Sequence, residues 1–299
     1  MKWRGNRQSS NVEDRRGQSG SGGGLGRFNP MLLGSLIRLL FSKVGLIIVG
    51  LFLLFSFITG NNPLRLLGDI FVGGDNQVEN TSPYQGTEAE NELADFSATI
   101  LASTEDVWNQ LLSNYREPTL VLFTGSVASA CGSASSATGP FYCPGDEKLY
   151  LDLSFFAEMA HQLHAPGDFA QAYVIAHEVG HHIQKITGIS DKMQKLRSQL
   201  STTEYNKYSV RLELQADFLA GVWAHYAQEG THMMESGDLE EALNAANAIG
   251  DDRLQKQATG HVVPDSFTHG TSEQRIRWFK KGFETGDLAQ GDTFNANPL

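Results

Sequence analysis

Apolar residues along the chain form one long uncharged run, several stretches with helical spacing and two short strand-like runs. The uncharged run, residues 44–60, is at the short end of the length that a membrane-spanning helix requires. The helical stretches are residues 91–113, 154–163, 168–188, 190–200, 205–229 and 238–256, and the strand-like runs are residues 119–124 and 148–153. This pattern predicts an α+β fold, mostly helical with a small β-sheet, preceded by one transmembrane helix.

Composition divides the chain around the apolar run. Residues 1–43 are the predicted basic, glycine-rich cytoplasmic tail, and residues 1–30 are not expected to contribute much to a core. Residues 44–60 are the predicted transmembrane helix, and residues 61–87 form a linker, since glycine and proline interrupt any regular element there. Residues 88–299 are the predicted folded domain. A cleaved signal peptide is the competing interpretation of the apolar run, but no Ala-x-Ala site follows it.

One helical stretch contains the sequence His-Glu-Val-Gly-His-His at residues 177–182. His177 and His181 are four residues apart, so both imidazoles lie on one face of a helix and can bind one metal ion. Glu178 lies beside them and is placed to act as a general base on a water at the open position of a zinc site. Asp168 is a candidate N-cap and Gly188 a candidate stop, which brackets the helix.

A second helical stretch supplies partners for this motif. Glu213 and Asp217 are four residues apart and share one helix face. Glu213 can be the third metal ligand, because two histidines and a glutamate make a catalytic zinc set, and Asp217 can accept a hydrogen bond from a ligand imidazole. The alternative interpretation is a chance motif facing an ordinary solvated helix.

These motifs together resemble a known family. His-Glu-Val-Gly-His-His, the Glu-Leu-Gln-Ala-Asp-Phe-Leu-Ala-Gly-Val-Trp-Ala-His stretch, His-Gly-Thr-Ser-Glu-Gln-Arg-Ile-Arg-Trp-Phe near the C-terminus and a start with Met-Lys-Trp are similar to the bacterial neutral zinc metallopeptidase family of the YpfJ type. The resemblance covers essentially the whole chain. It implies a membrane-anchored, zincin-like metallopeptidase domain that uses Zn²⁺, with His177, His181 and Glu213 as ligands, Glu178 as catalytic acid and base, and Asp217 as their support.

Charge predicts the orientation of such an anchor. Residues 1–43 carry a net charge of +6 and the remaining residues −17, within a total of −11. The positive-inside rule then predicts a single-pass protein of the bacterial inner membrane, with a cytoplasmic N-terminus and a periplasmic catalytic domain. A nucleic-acid partner is not expected, since the basic segment has few aromatic residues beyond Trp3 and Phe28.

The chain has two cysteines, Cys131 and Cys143, separated by a loop of small residues. An oxidising compartment would allow them to form a disulfide. Thiolate binding to zinc is the alternative, but the spacing matches no short zinc knuckle.

Two further features have a functional and a structural interpretation each. In zinc peptidases of this class an edge strand receives the substrate backbone, and residues 150–154 resemble that strand in position, although an ordinary core strand is the alternative. His269 and Arg275 resemble a His-x(5)-Arg stretch of membrane-embedded zinc proteases, by which His269 would stabilise an oxyanion. Otherwise His269 is a turn residue and Arg275 forms an ion pair.

The sequence therefore predicts a membrane-anchored zinc peptidase that acts on peptide or protein substrates. The alternatives are a non-catalytic zinc-binding adaptor of the cell envelope and a hydrolase of non-peptide amides such as those of the cell wall. Structural zinc usually has four closed protein ligands, and only three can be named here. The choice between endo- and exopeptidase, the oligomeric state and the cleavage specificity stay open.

Overall fold

The computed structural model describes residues 1–18 and 84–299, and the predicted transmembrane helix lies outside these residues. Within the described ranges, no helix combines the length and the apolar character needed to cross a membrane. The strands are β1 Val12–Asp14, β2 Thr119–Phe123, β3 Ser126–Ser129, β4 Gly132–Ser135, β5 Phe141–Cys143 and β6 Lys148–Asp152. The helices are α1 Glu88–Leu111, α2 Ser154–His161, α3 Asp168–Ile186, α4 Ile189–Arg197, α5 Thr202–Thr231, α6 Asp238–Ala248, α7 Asp251–Thr259 and α8 Ser272–Thr285.

The helical and strand-like runs of the sequence correspond to these elements. The stretch at residues 238–256 is divided into α6 and α7 at Gly250. Residues 119–124 and 148–153 are strands, as predicted. The described part of the chain is thus mostly helical with a small sheet, which confirms the α+β fold class.

The main sheet has the strand order β1-β2-β6-β5. Strands β1, β2 and β6 are parallel, and β5 is antiparallel to β6. Residues 150–152 therefore belong to an internal strand, between β2 and β5, and the prediction that residues 150–154 receive substrate at an edge is wrong. The edge on that side is β5, a strand of three residues that is too short to show an alternating pattern.

The two faces of this sheet alternate as a pleated strand requires. Leu120, Leu122, Leu149 and Leu151 enter the core shared with the helices. Val121, Phe123 and Tyr150 point to the opposite face and form a second cluster with Val127 of the β3–β4 hairpin. The hairpin therefore covers the face of the sheet that the helices leave open.

The N-terminal segment, residues 1–18, is part of the folded unit. Strand β1 pairs with β2 along Val12, Glu13 and Asp14, and the Trp3 ring is 9% exposed and lies edge-on to Phe96. The prediction that residues 1–43 form a tail separate from the domain is consequently wrong for residues 1–18. The remainder of that predicted tail lies outside the described residues.

Helices α3, α5 and α8 form the centre of the helical layer. Helix α5 crosses α8 at two glycines: a Cβ atom on Gly221 would lie 2.1 Å from the Phe279 carbonyl oxygen, and one on Gly282 would lie 2.1 Å from the Phe218 carbonyl oxygen. Only glycine allows the two backbones to approach this closely. The crossing brings the first turn of α8 against the middle of α5, where the candidate site lies.

Candidate metal centre

Helix α3 carries the two histidines, and its ends are well defined. The helix begins at Asp168 after Gly167, so Asp168 is the first helical residue rather than the predicted N-cap. A carboxylate oxygen of Glu241 accepts a hydrogen bond from the Phe169 N–H at 3.0 Å. At the other end, Gly188 has φ of 78°, which confirms the predicted stop in a left-handed conformation.

Small residues bring α5 close to this helix. A Cβ atom on Gly180 would lie 3.0 Å from the Ala216 Cα atom and its carbonyl oxygen, so the two backbones are nearly in contact. The side chains of Glu213 and Asp217 can then reach the imidazoles of α3. Glu213 is three residues before Ala216 on α5, and Asp217 follows Ala216 directly. Gly180 and Ala216 thus explain how two carboxylates of one helix meet two histidines of another.

The three predicted ligands converge on one point. One donor atom from each of His177, His181 and Glu213 lies within 4.8 Å of the other two. His177 Nε2 is 3.2 Å from Glu213 Oε2, and His181 Nε2 is 3.5 Å from Glu213 Oε1. Two imidazole nitrogens and a carboxylate at these separations fit a zinc ion that keeps a fourth position open.

Asp217 fixes the orientation of the His177 ring. His177 Nδ1 donates to Asp217 Oδ1 at 2.8 Å, which directs Nε2 to the metal position. The buried Arg275 side chain donates to both oxygens of Asp217, from Nε at 2.8 Å and from Nη2 at 2.9 Å. Tyr173 donates its hydroxyl to Asp217 Oδ1 at 2.5 Å. The sequence predicted Asp217 and gave an ion pair as one role of Arg275, but it gave no indication of Tyr173.

Gln184 has the corresponding position behind His181. His181 Nδ1 lies 2.9 Å from Gln184 Oε1, so the amide oxygen accepts its proton and leaves Nε2 for the metal. Gln184 Nε2 in turn donates to the Leu212 carbonyl oxygen at 2.7 Å. Sequence reasoning missed this residue. Its one signal was a buried amide three residues after the second histidine on the same helix.

The surroundings of the proposed ligands favour the ionised forms of Glu213 and Asp217. Burial lowers the pKa of His177, but the Asp217 carboxylate more than offsets this and raises it to about 10. Burial alone would raise the pKa of Glu213, yet the charges of His181 and His177 hold it well below its ordinary range. Burial would also raise the pKa of Asp217, but the Arg275 charge holds it below its ordinary range. Both carboxylates are therefore ionised at neutral pH, and a metal that binds His177 Nε2 would release the proton that the raised pKa holds there.

Glu178 lies beside these groups but takes part in none of their hydrogen bonds. Burial raises the pKa of its carboxyl above the ordinary value, although the charges of His181 and His177 oppose part of that rise. A carboxylate with a raised pKa is suited to accept and return a proton near neutral pH. Phe141 and Tyr142 of the edge strand β5 line the same cavity as Glu178.

A cleft of about 960 Å³ opens over the ligands. Glu178 and the three ligand residues line its floor, and Phe141 and Tyr142 of β5 line one wall. His269 lies in the same cleft. The structure thus brings all the predicted metal and catalytic residues to one cavity.

His269 is held by a carboxylate that the sequence did not indicate. Its Nδ1 is 3.1 Å from Asp251 Oδ1, and its backbone N–H donates to Asp251 Oδ2 at 2.6 Å. About half of the His269 side chain is exposed. With Nδ1 turned to Asp251, the Nε2 atom is the one left for a ligand in the cleft.

A disulfide and a third histidine lie near the cleft. Cys131 and Cys143 form the predicted disulfide, which joins the β3–β4 hairpin to β5. His182 is buried and turned away from the proposed ligands: its Nδ1 is 3.0 Å from the Tyr142 hydroxyl and its Nε2 is 2.5 Å from the Arg116 carbonyl oxygen. Both of its ring nitrogens therefore have partners outside the cluster of His177, His181 and Glu213.

Comparison with known proteins agrees with this geometry. The family model described as "Putative neutral zinc metallopeptidase" matches residues 1–294. The "Uncharacterized protein YpfJ" of Escherichia coli strain K12 is 48% identical over 298 residues, covering 98% of this chain and 99% of the relative. The "Uncharacterized protein Rv2575" of Mycobacterium tuberculosis H37Rv is 44% identical over 207 residues, covering 66% of this chain and 69% of the relative. No solved structure matches the chain significantly.

Proposed function

The chain belongs to the neutral zinc metallopeptidase family, and we propose from this membership and from the site that it hydrolyses peptide bonds in a zinc-dependent reaction. The family implies zinc as the cofactor. The observation that carries the proposal is the convergence of His177, His181 and Glu213 with Glu178 beside them in an open cleft. A structural zinc site would need a fourth protein ligand, and the described residues offer none at this point.

The residues of the site fit a catalytic zinc ion, and each has a separate role in the reaction. When bound, zinc supplies Lewis acidity, which acidifies water and polarises a carbonyl group. Glu178 takes one proton from the attacking water while the water oxygen forms a bond to the carbonyl carbon. The C–N bond then breaks, and Glu178 returns that proton to the departing nitrogen. The products are a carboxylic acid and an amine.

His269 is the proposed donor to the oxygen that becomes negative during this attack. Asp251 binds its Nδ1 and so leaves Nε2 toward the cleft. A donor aimed at developing charge typically contributes 10²–10³-fold to the rate. Asp251 acts through His269 and is a positioning residue.

Substrate binding is assigned to the open edge of β5 rather than to β6. Strand β5 forms one edge of the main sheet, and its residues Phe141 and Tyr142 line the cleft that contains the proposed ligands, so an extended peptide laid along β5 would enter that cleft. Backbone hydrogen bonds along such an edge bind peptides by strand addition. They favour a polypeptide over a small amide as the substrate.

Attachment to a membrane is also part of the proposal. It is supported by the sequence of residues 44–60, which is uncharged and apolar over 17 positions. We propose a location at the bacterial inner membrane, with a protein or peptide as the partner of the cleft.

The test is cleavage of an unbiased peptide library by the full-length protein in detergent, read by mass spectrometry. The parent protein is compared with Glu178→Gln, with a chelated sample and with Glu284→Gln, which changes an exposed carboxylate on α8. We expect new peptide termini with the parent and with Glu284→Gln, and a rate lower by about 10²–10⁴-fold in Glu178→Gln. Zinc content, measured on every sample, should be unchanged in both variants.

Two results would contradict the proposed peptidase activity. Equal cleavage by Glu178→Gln with zinc bound would remove its acid-base role. No cleavage by the zinc-loaded parent protein would favour the adaptor or a hydrolase of non-peptide amides. Incubation of the same samples with cell-wall fragments would reveal such a hydrolase.

A further inference from the structure

The N-terminal segment, residues 1–18, and the catalytic domain, residues 84–299, fold as one unit although the apolar run separates them in sequence. We propose that both parts lie on the same side of the membrane. This goes beyond the proposed peptidase activity and rests only on the membrane attachment proposed above.

Backbone pairing is the first observation. Strand β1 is parallel to β2 in a fixed register, with Val12 opposite Leu120 and Asp14 opposite Leu122. The pairing continues outside the strand: the Leu120 N–H donates to the Asn11 carbonyl oxygen at 2.9 Å and the Arg15 N–H to the Leu122 carbonyl oxygen at 2.8 Å. The N-terminal segment therefore completes one edge of the main sheet.

Side-chain burial is the second observation. Trp3 and Ser9 are both buried against α1, where the Ser9 hydroxyl donates to the buried Glu105 carboxylate at 2.5 Å. Arg16 is 7% exposed, and its guanidinium donates to the Glu90 carbonyl oxygen at 3.0 Å. A soluble tail that only flanked a membrane helix would not bury a tryptophan and an arginine in the domain beyond that helix.

The arginines of this segment have partners in the folded unit. Arg7 is paired with Glu105 and Asp106 of α1, and Arg4 with Glu92. Arg15 and Arg16 pair with the β1 residues Glu13 and Asp14. Arg4 and Arg7 thus meet carboxylates of α1, and the positive charges of the segment do not by themselves indicate a cytoplasmic flank.

If the two parts lay on opposite sides of the membrane, strands β1 and β2 could not pair as they do in the fold. With a cytoplasmic N-terminus and a periplasmic domain, β1 and β2 would be on opposite sides of a hydrocarbon layer about 30 Å thick, whereas paired strands are about 5 Å apart. Losing β1 would also expose the backbone groups of β2 that it now satisfies. The fold therefore requires the two parts to share one side.

The proposal can be tested by labelling cysteines in the full-length protein in its own membrane. Gln8→Cys in the N-terminal segment and Glu284→Cys on α8 both place a thiol at an exposed position. Each variant is treated with a membrane-impermeant maleimide in intact spheroplasts and again after lysis, with the parent protein as the background control. We expect the two thiols to be labelled under the same condition, whichever side that is. Labelling of one in intact spheroplasts and of the other only after lysis would overturn the proposal.

A second measurement examines the pairing directly. In a Val12→Cys, Leu120→Cys double variant, oxidation of isolated membranes with copper phenanthroline should join the two positions, detected as a linked peptide by mass spectrometry. The pair Val12→Cys, Glu284→Cys is the control for random contact. Linkage restricted to the first pair supports one folded unit, and equal or absent linkage in both pairs rejects it.

Discussion

Each histidine of the proposed ligand set has its Nδ1 atom bound to a side chain, which leaves Nε2 for a metal. For His181 this side chain is Gln184, whose oxygen is 2.9 Å from Nδ1. We expect Gln184→Leu to lower zinc affinity by about 10–100-fold, since the imidazole loses its orienting acceptor. Competition with a chelator of known affinity measures this directly.

The matched control is Gln199→Leu, because Gln199 is exposed and lies outside the cleft. Its zinc affinity should equal that of the parent protein. If Gln184→Leu also bound zinc like the parent, the amide would be a packing residue only and the assignment of the His181 tautomer would be wrong.

The pH dependence of activity should report on His269. The hydrogen bond that His269 donates to the Asp251 carboxylate raises the pKa of His269, although burial opposes this. Because Nδ1 is bound to Asp251, Nε2 carries a proton only in the imidazolium, so donor activity is present below the raised pKa and is lost as pH increases through it. Arg275 opposes the rise and Glu213 adds to it, and neither is altered by a change at Asp251.

Asp251→Asn should therefore move the alkaline limb of the kcat profile to lower pH and lower kcat at neutral pH. His269→Ala should lose about 10²–10³-fold in kcat and abolish that limb. An alkaline limb that stays at the same pH in both variants would show that another group titrates there.

The sequence predicted two pairs of site residues whose relation is local, although it missed Gln184, which is also local to His181. Helical periodicity alone places His177 beside His181 and Glu213 beside Asp217. Tyr173 and Asp251 were missed because their roles depend on contacts between distant segments: Tyr173 meets Asp217 across two helices, and Asp251 meets His269 across a loop. No spacing rule in a single chain encodes such contacts.

At the level of elements, the crossing of α5 and α8 holds Arg275 against Asp217. An alanine at Gly282 would place its Cβ atom 2.1 Å from a backbone oxygen that cannot move independently of its helix. The helix propensity of alanine contributes about 1 kcal/mol in its favour, whereas forcing the helices apart typically costs 1–3 kcal/mol. We expect net destabilisation of Gly282→Ala, with loss of zinc affinity because the Arg275–Asp217 pair is displaced.

Gly230→Ala, on the partner helix α5, is expected to have the opposite effect on stability. A Cβ atom there would meet nothing within 4 Å, so only helix propensity acts and the variant should be more stable by up to about 1 kcal/mol. Urea unfolding of both variants and the parent measures the two effects. Destabilisation of both by the same amount would exclude the crossing as the cause.

The sheet shows why strand order is harder to predict than strand position. Residues 148–153 alternate as a strand should, and they form one. Their place inside the sheet is set by β5, which has three residues, and by β1, which comes from the other end of the chain. Neither partner has a pattern long enough to predict a strand, so the edge was assigned to the wrong strand.

For the molecule as a whole, the prediction that is wrong is that residues 1–18 contribute little to the core, which their basic composition favoured. Four arginines in residues 1–18 suggested a solvated tail, yet the fold pairs them with carboxylates. Composition counts charges but does not show their partners. Strand β1 consists of Val-Glu-Asp, which has no hydrophobic signature.

The stability of the domain should therefore depend on a residue more than 80 positions before it along the chain. Trp3→Ala removes a ring that packs on Phe96 and leaves a cavity beside α1, a change that typically costs 3–5 kcal/mol. We expect the helical signal of the full-length protein in detergent, followed by circular dichroism, to be lost at lower urea. Gln8→Ala changes an exposed side chain of the same segment and should unfold like the parent. A tail independent of the domain would leave both variants unchanged, because a side chain that touches nothing in the folded state cannot alter its free energy of unfolding.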